Sequence, residues 1–188
     1  MPGVGRWRAP RALSVRWKAE LGDHVIRLAW SPDGTRLAAA EVSGPVALFD
    51  IATGTAQVRL AGHDFGTTDL AWHPTADLIA TAGQDGHARL WDTKTGELRG
   101  ACPAGAAWVE HVAWAPIGDR LAVAAGRKLT LWDGAGRRVR SYPDAKSTIA
   151  DLAWSRDGRT FTTAAYGGLR RRLPPRRGWL LLDHRPRG

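Results

Sequence analysis

Leu28–Ala40 reads LAWSPDGTRLAAA, Leu70–Ala82 reads LAWHPTADLIATA, Val112–Ala124 reads VAWAPIGDRLAVA and Leu152–Ala164 reads LAWSRDGRTFTTA. The four segments align without gaps, with tryptophan at positions 30, 72, 114 and 154, spaced 42, 42 and 40 residues apart. That period is longer than the ~33–34 residues of paired-helix repeats and falls within the ~40–45 of a unit built from four strands. A second mark recurs in the same register downstream. It is Phe49-Asp50, Trp91-Asp92 and Trp132-Asp133, each preceded by Leu and each closing a short alternating run.

Within one unit the pattern is that of sheet. Leu28 and Trp30, Leu70 and Trp72, Val112 and Trp114, and Leu152 and Trp154 stand two apart, so each pair shares one face of a strand. Ala29, Ala71, Ala113 and Ala153 take the other face. A strand apolar on both faces must be covered on both, as the inner strand of a propeller blade is by its two neighbours. Turn residues separate the strands: Ser31-Pro32-Asp33-Gly34 and its counterparts, Gln84-Asp85-Gly86, and Thr53-Gly54 or Thr95-Gly96. No helical periodicity of useful length appears. The fold class expected is all-β, an arc of about four four-stranded antiparallel blades.

These residues resemble the WD-repeat family of β-propellers over roughly residues 22–165, and the second unit matches best. It carries Gly62-His63, Asp85 in the tight turn and Leu90-Trp91-Asp92 at its close. The resemblance implies a buried hydrogen-bonded chain of His63, Asp85, Thr81 and Trp91, in which His63 is structural. The first unit departs from the pattern, lacking Gly-His and ending in Phe49-Asp50. The third has Ala106 near the histidine position and a shortened turn at Gly126-Arg127.

The expected organisation is a basic N-terminal arm or outer strand at 1–21, then blades at about 22–61, 62–104, 105–144 and an incomplete 145–169. Past AAYGGL a strand ending in Leu-Trp-Asp is due, but RRRLPPRRGWLLLDHRPRG follows, so 170–188 reads as an Arg/Pro-rich tail out of register. The loss of register suggests a truncated or frameshifted gene product. The competing reading is a working half-propeller that pairs with another half. Either way, an open arc leaves blade faces uncovered, and self-association through them is expected.

Composition narrows the function classes. Ten Trp among 188 residues suit tightly packed sheets. The single Cys102 allows neither an intrachain disulfide nor a Cys-based zinc site, which points to a reducing, cytoplasmic setting. No apolar run approaches the ~18 residues of a membrane span. The net charge of +9 sits at the ends, in Arg6, Arg8, Arg11 and Arg16 and in seven arginines from Arg170 onward. A nucleic-acid-associated protein binding through basic termini is therefore the alternative function.

Catalysis has no footing in the motifs. There is no phosphate-binding Gly-rich loop with a Lys, no His-Glu-x-x-His and no Gly-x-Ser-x-Gly. The six histidines have no metal-ligand spacing, and no cofactor or metal is expected. The family resemblance implies a non-catalytic scaffold that binds a protein or peptide on the face where loops between blades gather. By register that face displays His24, Phe65, Gly66, Trp108 and Thr148, with Glu41, Gln84, Arg127 and Tyr166 nearby. Trp108 stands outside the repeated tryptophan positions, and an exposed loop aromatic is a typical interface anchor.

Overall fold

A computed structural model describes residues 14–105, 108–166 and, as a strand, 170–173. Every regular element in it is a β-strand. The first sheet is β1 (Val25–Trp30), β2 (Arg36–Glu41), β3 (Val46–Asp50) and β4 (Ala56–Leu60). The second is β5 (Thr67–Trp72), β6 (Leu78–Gly83), β7 (His87–Asp92) and β8 (Leu98–Pro103). The third is β9 (Val109–Trp114), β10 (Leu121–Ala125), β11 (Lys128–Trp132) and β12 (Arg138–Ser141). The fourth holds β13 (Ile149–Trp154), β14 (Phe161–Ala165) and β15 (Arg170–Leu173). Each sheet is an antiparallel meander in chain order, and the first strands of successive sheets stand side by side, which makes the arrangement an open propeller arc.

The repeated segments impose a repeated register. Trp30 lies opposite Leu37, Trp72 opposite Ile79, Trp114 opposite Leu121 and Trp154 opposite Phe161. Near the start of every inner strand the ladder skips one residue, at Ile26, Thr68, Glu110 and Ala150. Such bulges turn a side chain out of the ladder toward new partners. Thr68 thereby donates its hydroxyl to the Val109 carbonyl of the next blade, and Glu110 Oε2 accepts from Gly126 N at 2.7 Å.

Packing between blades supplies the core. Ala38, Ala40, Val46 and Leu48 of the first blade close on Leu70, Trp72, Ile79 and Trp91 of the second. The same small-against-large pattern joins the second blade to the third through Ala80 and Ala82 against Trp114 and Trp132. Ala122 and Ala124 meet Leu152 and Phe161 at the next interface. Trp72 Nε1 donates to the Ala29 carbonyl and Trp154 Nε1 to the Ala113 carbonyl, each at 3.0 Å, so two of the three interfaces also share an indole hydrogen bond. The carboxylates of Asp50, Asp92 and Asp133 serve as turn acceptors for the backbone N–H groups of Thr53, Lys94 and Ala135.

Two features lie at the ends of the repeat. Within the segment read as an Arg/Pro-rich tail, β15 pairs with β14 from Ala164↔Arg170 to Phe161↔Leu173. Backbone pairing needs no Leu-Trp-Asp motif, and an arginine-rich segment still offers a full set of N–H and C=O groups. The segment before the first strand is docked on the first blade from Trp17 to Leu21. The Trp17 ring stacks on Phe49 at 5.9 Å, its Nε1 donates to the Ile51 carbonyl at 2.9 Å, and Leu21 joins it against Ala39 and Ala47. The outer half of the first blade's free face is thus covered by its own chain. Residues 1–13 and 174–188, with most of the terminal arginines, lie outside the described residues, as does Ala106.

Candidate partner-binding face

The loop at 61–66 is fixed from beneath by the second blade. Trp91 has only a donor, and its Nε1–H points at Thr81 Oγ1 at 2.8 Å. That orientation leaves the Thr81 hydroxyl to donate onward to His63 Nε2 at 2.7 Å. His63 Nδ1 must then carry the proton, which it gives to Asp85 at 3.0 Å, and Arg89 Nη1 closes the line on the same carboxylate at 2.7 Å. The imidazole is therefore neutral. Its burial pushes the same way, holding the His63 pKa below the ordinary histidine value, while His63 and Arg89 hold Asp85 below the usual carboxylate range against the burial that would raise it. Gly83 has no side chain because the ring occupies its space: a Cβ there would lie 2.2 Å from His63 Cγ.

The third blade reaches a similar end by another route. Val123 stands where Thr81 would, and Trp132 Nε1 donates instead to Thr130 Oγ1 on its own strand at 2.8 Å. Alignment with the second unit hides this, since Thr130 occupies the position of Arg89 and only the strand's pleat brings its hydroxyl to the indole.

Above these supports the loops interlock. Thr67 donates its hydroxyl to the Gly44 carbonyl, Gln84 N bonds Gly66 O at 3.1 Å, and Ile149 N bonds Gly126 O at 2.8 Å. Tyr166 N reaches Thr148 O at 3.1 Å, and the Ser147 hydroxyl donates to the Tyr166 carbonyl. The loops between blades and the second turns thus share one end of the arc. On it Phe65 is 83% exposed, Tyr166 69% and Trp108 55%. Phe65 is the one non-glycine residue among those described with a positive φ, at 66°. A bulky side chain there costs on the order of 1–3 kcal/mol, and the next residue, Gly66, also has a positive φ and lies close against the Val42 carbonyl.

The other expected residues divide. His24 is exposed beside Asp23, with ring Nδ1 and carboxylate 3.2 Å apart. Arg127 is at the surface, but its Nε is committed to the Ala145 carbonyl at 2.8 Å. Gln84 is half-buried beside Gly66, which is itself buried, and Thr148 is half-buried. Glu41 is not on the face: it is 1% exposed and paired with Arg59 Nη2 at 2.6 Å. Its strand ends inside the blade, where a carboxylate is retained only with a cationic partner. Val42, one residue on, takes the exposed position. Among the described residues no group of three His, Cys, Asp or Glu side chains is arranged to hold a metal ion, and no helix is long and apolar enough to cross a membrane.

Comparison with known proteins gives the following. Residues 54–92 match the family model described as WD domain, G-beta repeat. These residues include the complete His63–Asp85–Trp91 unit. No curated protein matches the sequence. Among solved structures, the computationally designed Ika4 protein superposes with a TM-score of 0.74 at 17% identity, covering 82% of this chain and 93% of that one. The β-propeller domain of Cps50 (Swd1) from Myceliophteria thermophila gives 0.74 at 21% identity over 83% of this chain and 53% of that one. The computationally designed Ika8 protein gives 0.74 at 24% identity over 84% and 48%. The chain thus spans about half the length of the last two and nearly all of the first.

Proposed function

Starting from a chain that is an open arc of a WD-repeat β-propeller, we propose that it is a non-catalytic scaffold whose loop face binds a protein or peptide partner. The observation that carries this reading is Phe65, held exposed on a left-handed backbone at the same end of the arc as Trp108 and Tyr166. Large aromatics raised on loops above a rigid support are what protein interfaces use as anchors. Residues of a type used in chemistry are spent on the fold: His63 and Asp85 satisfy each other, and burial pushes the Cys102 thiol up to about 12, far from a reactive thiolate. An inert thiol of this kind suits a cytoplasmic protein.

A peptide library selected against the wild-type chain tests the reading. Phe65→Gly relieves the backbone and removes the anchor together, so it should leave stability within about 1 kcal/mol while weakening the selected peptides at least roughly tenfold. Trp108→Ala should weaken them similarly, with little salt dependence. Peptides indifferent to both changes would contradict the proposal. Preferential capture of single-stranded nucleic acid, lost steeply as salt rises, would favour the basic-termini reading instead.

A further inference from the structure

At every interface between two blades of this chain, one blade presents a large apolar pair on its inner strand, and the blade before it presents alanines from its second strand beside apolar residues of its third, such as Leu48, Leu90 and Leu131. Leu70 and Trp72 are 4% and 8% exposed, and Val112 and Trp114 are 4% and 7%. The first blade has the same pair in the same register, Leu28 and Trp30, with no blade before it among the described residues. They are 57% and 58% exposed. Trp17 and Leu21 cover only the outer part of this face, over Phe49, Ala39 and Ala47, and leave the inner pair open.

The opposite edge of the arc carries part of the matching half: its first- and second-strand positions are small, whereas Arg170 and Arg172 hold the register positions of Val46 and Leu48 on its third strand. Ala153, Thr162 and Ala164 stand on the fourth blade where Ala29, Ala38 and Ala40 stand on the first, and Ala153 is exposed. The Ala29 carbonyl accepts the indole N–H of the following blade's Trp72, and the Ala113 carbonyl that of Trp154. The Ala153 carbonyl is the next acceptor in the series, and the Trp30 indole is the donor that starts it.

Charge repeats in the same sense along the inner strands. The residues just before the apolar pairs are Arg27, Asp69, His111 and Asp151, which alternate in sign when the histidine is protonated. Arg27 Nε lies 2.8 Å from Asp69 Oδ1. Asp69 Oδ2 accepts from Val112 N at 3.2 Å and lies 3.8 Å from His111 Nδ1. Asp151 already accepts from its own neighbour Leu152 N at 2.8 Å, as Asp69 does from Leu70 N at 2.9 Å, and it is exposed on the side where the next blade would stand. An arginine at that place continues the alternation, and the first blade begins with one.

We propose that two copies of this chain associate first blade to fourth, each Leu28–Trp30 pair packing on Ala153, Thr162 and Ala164 of the other copy. A heterologous contact of this kind closes when it is made twice about a two-fold axis, giving eight blades from two four-blade arcs. The contact uses the edges of the arc, and the aromatic loop face of the proposed function stays free.

Light scattering on the full chain during size-exclusion chromatography tests this at tens of micromolar. The expected mass is about twice the 20.4 kDa of one chain. Trp30→Glu alters a side chain already exposed in the single arc, so the variant should keep its circular dichroism and melting transition while the dimer weakens at least roughly tenfold. Asp151→Arg, on the other edge, should weaken it comparably by facing Arg27 with a second cation. A wild-type chain that stays at the single-chain mass overturns the proposal, as does an open series of larger species. A dimer broken by Trp30→Glu but untouched by Asp151→Arg also overturns it, because first blades would then be meeting each other. Phe65→Gly and Trp108→Ala should leave the mass unchanged, which keeps this result separate from that of the peptide selection.

Discussion

The tryptophan that closes the second blade dictates the protonation of a histidine two residues along the line. Trp91 can only donate, so Thr81 must accept from it, His63 must accept from Thr81, and the remaining ring proton goes to Asp85. Protonating His63 would place two donors on one hydroxyl oxygen and leave the hydroxyl's own hydrogen without an acceptor. Because the folded pKa of His63 lies below its ordinary value of 6.5, the folded state resists the proton that the unfolded chain takes up. Its contribution is therefore intact above pH 6.5 and is lost as pH falls below that value. Chemical denaturation of wild type and His63→Gln from pH 8 to 5 checks this: the stability gap between them should be widest at high pH and shrink on acidification. A gap that widens on acidification would mean that the ring is charged in the fold. Comparing the two also cancels His73, which burial lowers, and His111, which Asp69 raises. This line was legible in the sequence because one unit carries Gly62-His63, Asp85 and Trp91 at family spacing. The equivalent in the third blade was not, since Thr130 reaches Trp132 only through the pleat of a single strand.

At the scale of the blade, interfaces rest chiefly on packing, and the three tryptophans that face a preceding blade are not equal. Trp72 and Trp154 donate to the blade before them, whereas Trp114 Nε1 is buried without a partner among the described residues, its ring edge-on to His73 at 4.6 Å. Replacing either Trp72 or Trp114 by Phe removes similar buried volume, since both are nearly inaccessible. Only Trp72→Phe also strips a hydrogen bond from a part-buried carbonyl, which adds about 1–3 kcal/mol, while Trp114→Phe removes a donor that has no acceptor to lose. Trp72→Phe should therefore be the more destabilising by about that amount in urea denaturation, and equal losses would contradict the pairing. The repeat period revealed the strands, their register and their two covered faces. It could not reveal this difference, because Trp72 and Trp114 occupy the same place in the repeat and part only through the backbone each one meets. The bulges at Ile26, Thr68, Glu110 and Ala150 were hidden for a related reason: an extra residue in a ladder does not disturb alignment between repeats that all contain it.

The molecule as a whole is an arc with one covered and one bare stretch on its leading face. Its four units were countable from the tryptophan period, and its balanced body could be told from its basic ends by charge alone. The docking of Trp17 onto Phe49 could not, since a segment outside the repeat has no period to place it. The third strand at Arg170–Leu173 carries no Leu-Trp-Asp motif to mark it, and backbone pairing does not require one. What distinguishes an arc from a closed ring is the state of Trp30, the first in a series whose later members are held by the blade before them. Hydrogen exchange of the indole N–H groups, read by nitrogen-15 NMR on a sample diluted until the chain is at its single-chain mass, measures that state directly. The Trp91, Trp132, Trp72 and Trp154 indoles should be protected and the Trp30 indole should exchange at the rate of a free tryptophan, gaining protection as concentration rises. A Trp30 indole that is protected in the single chain would mean that the arc covers its own leading face, and would contradict the account.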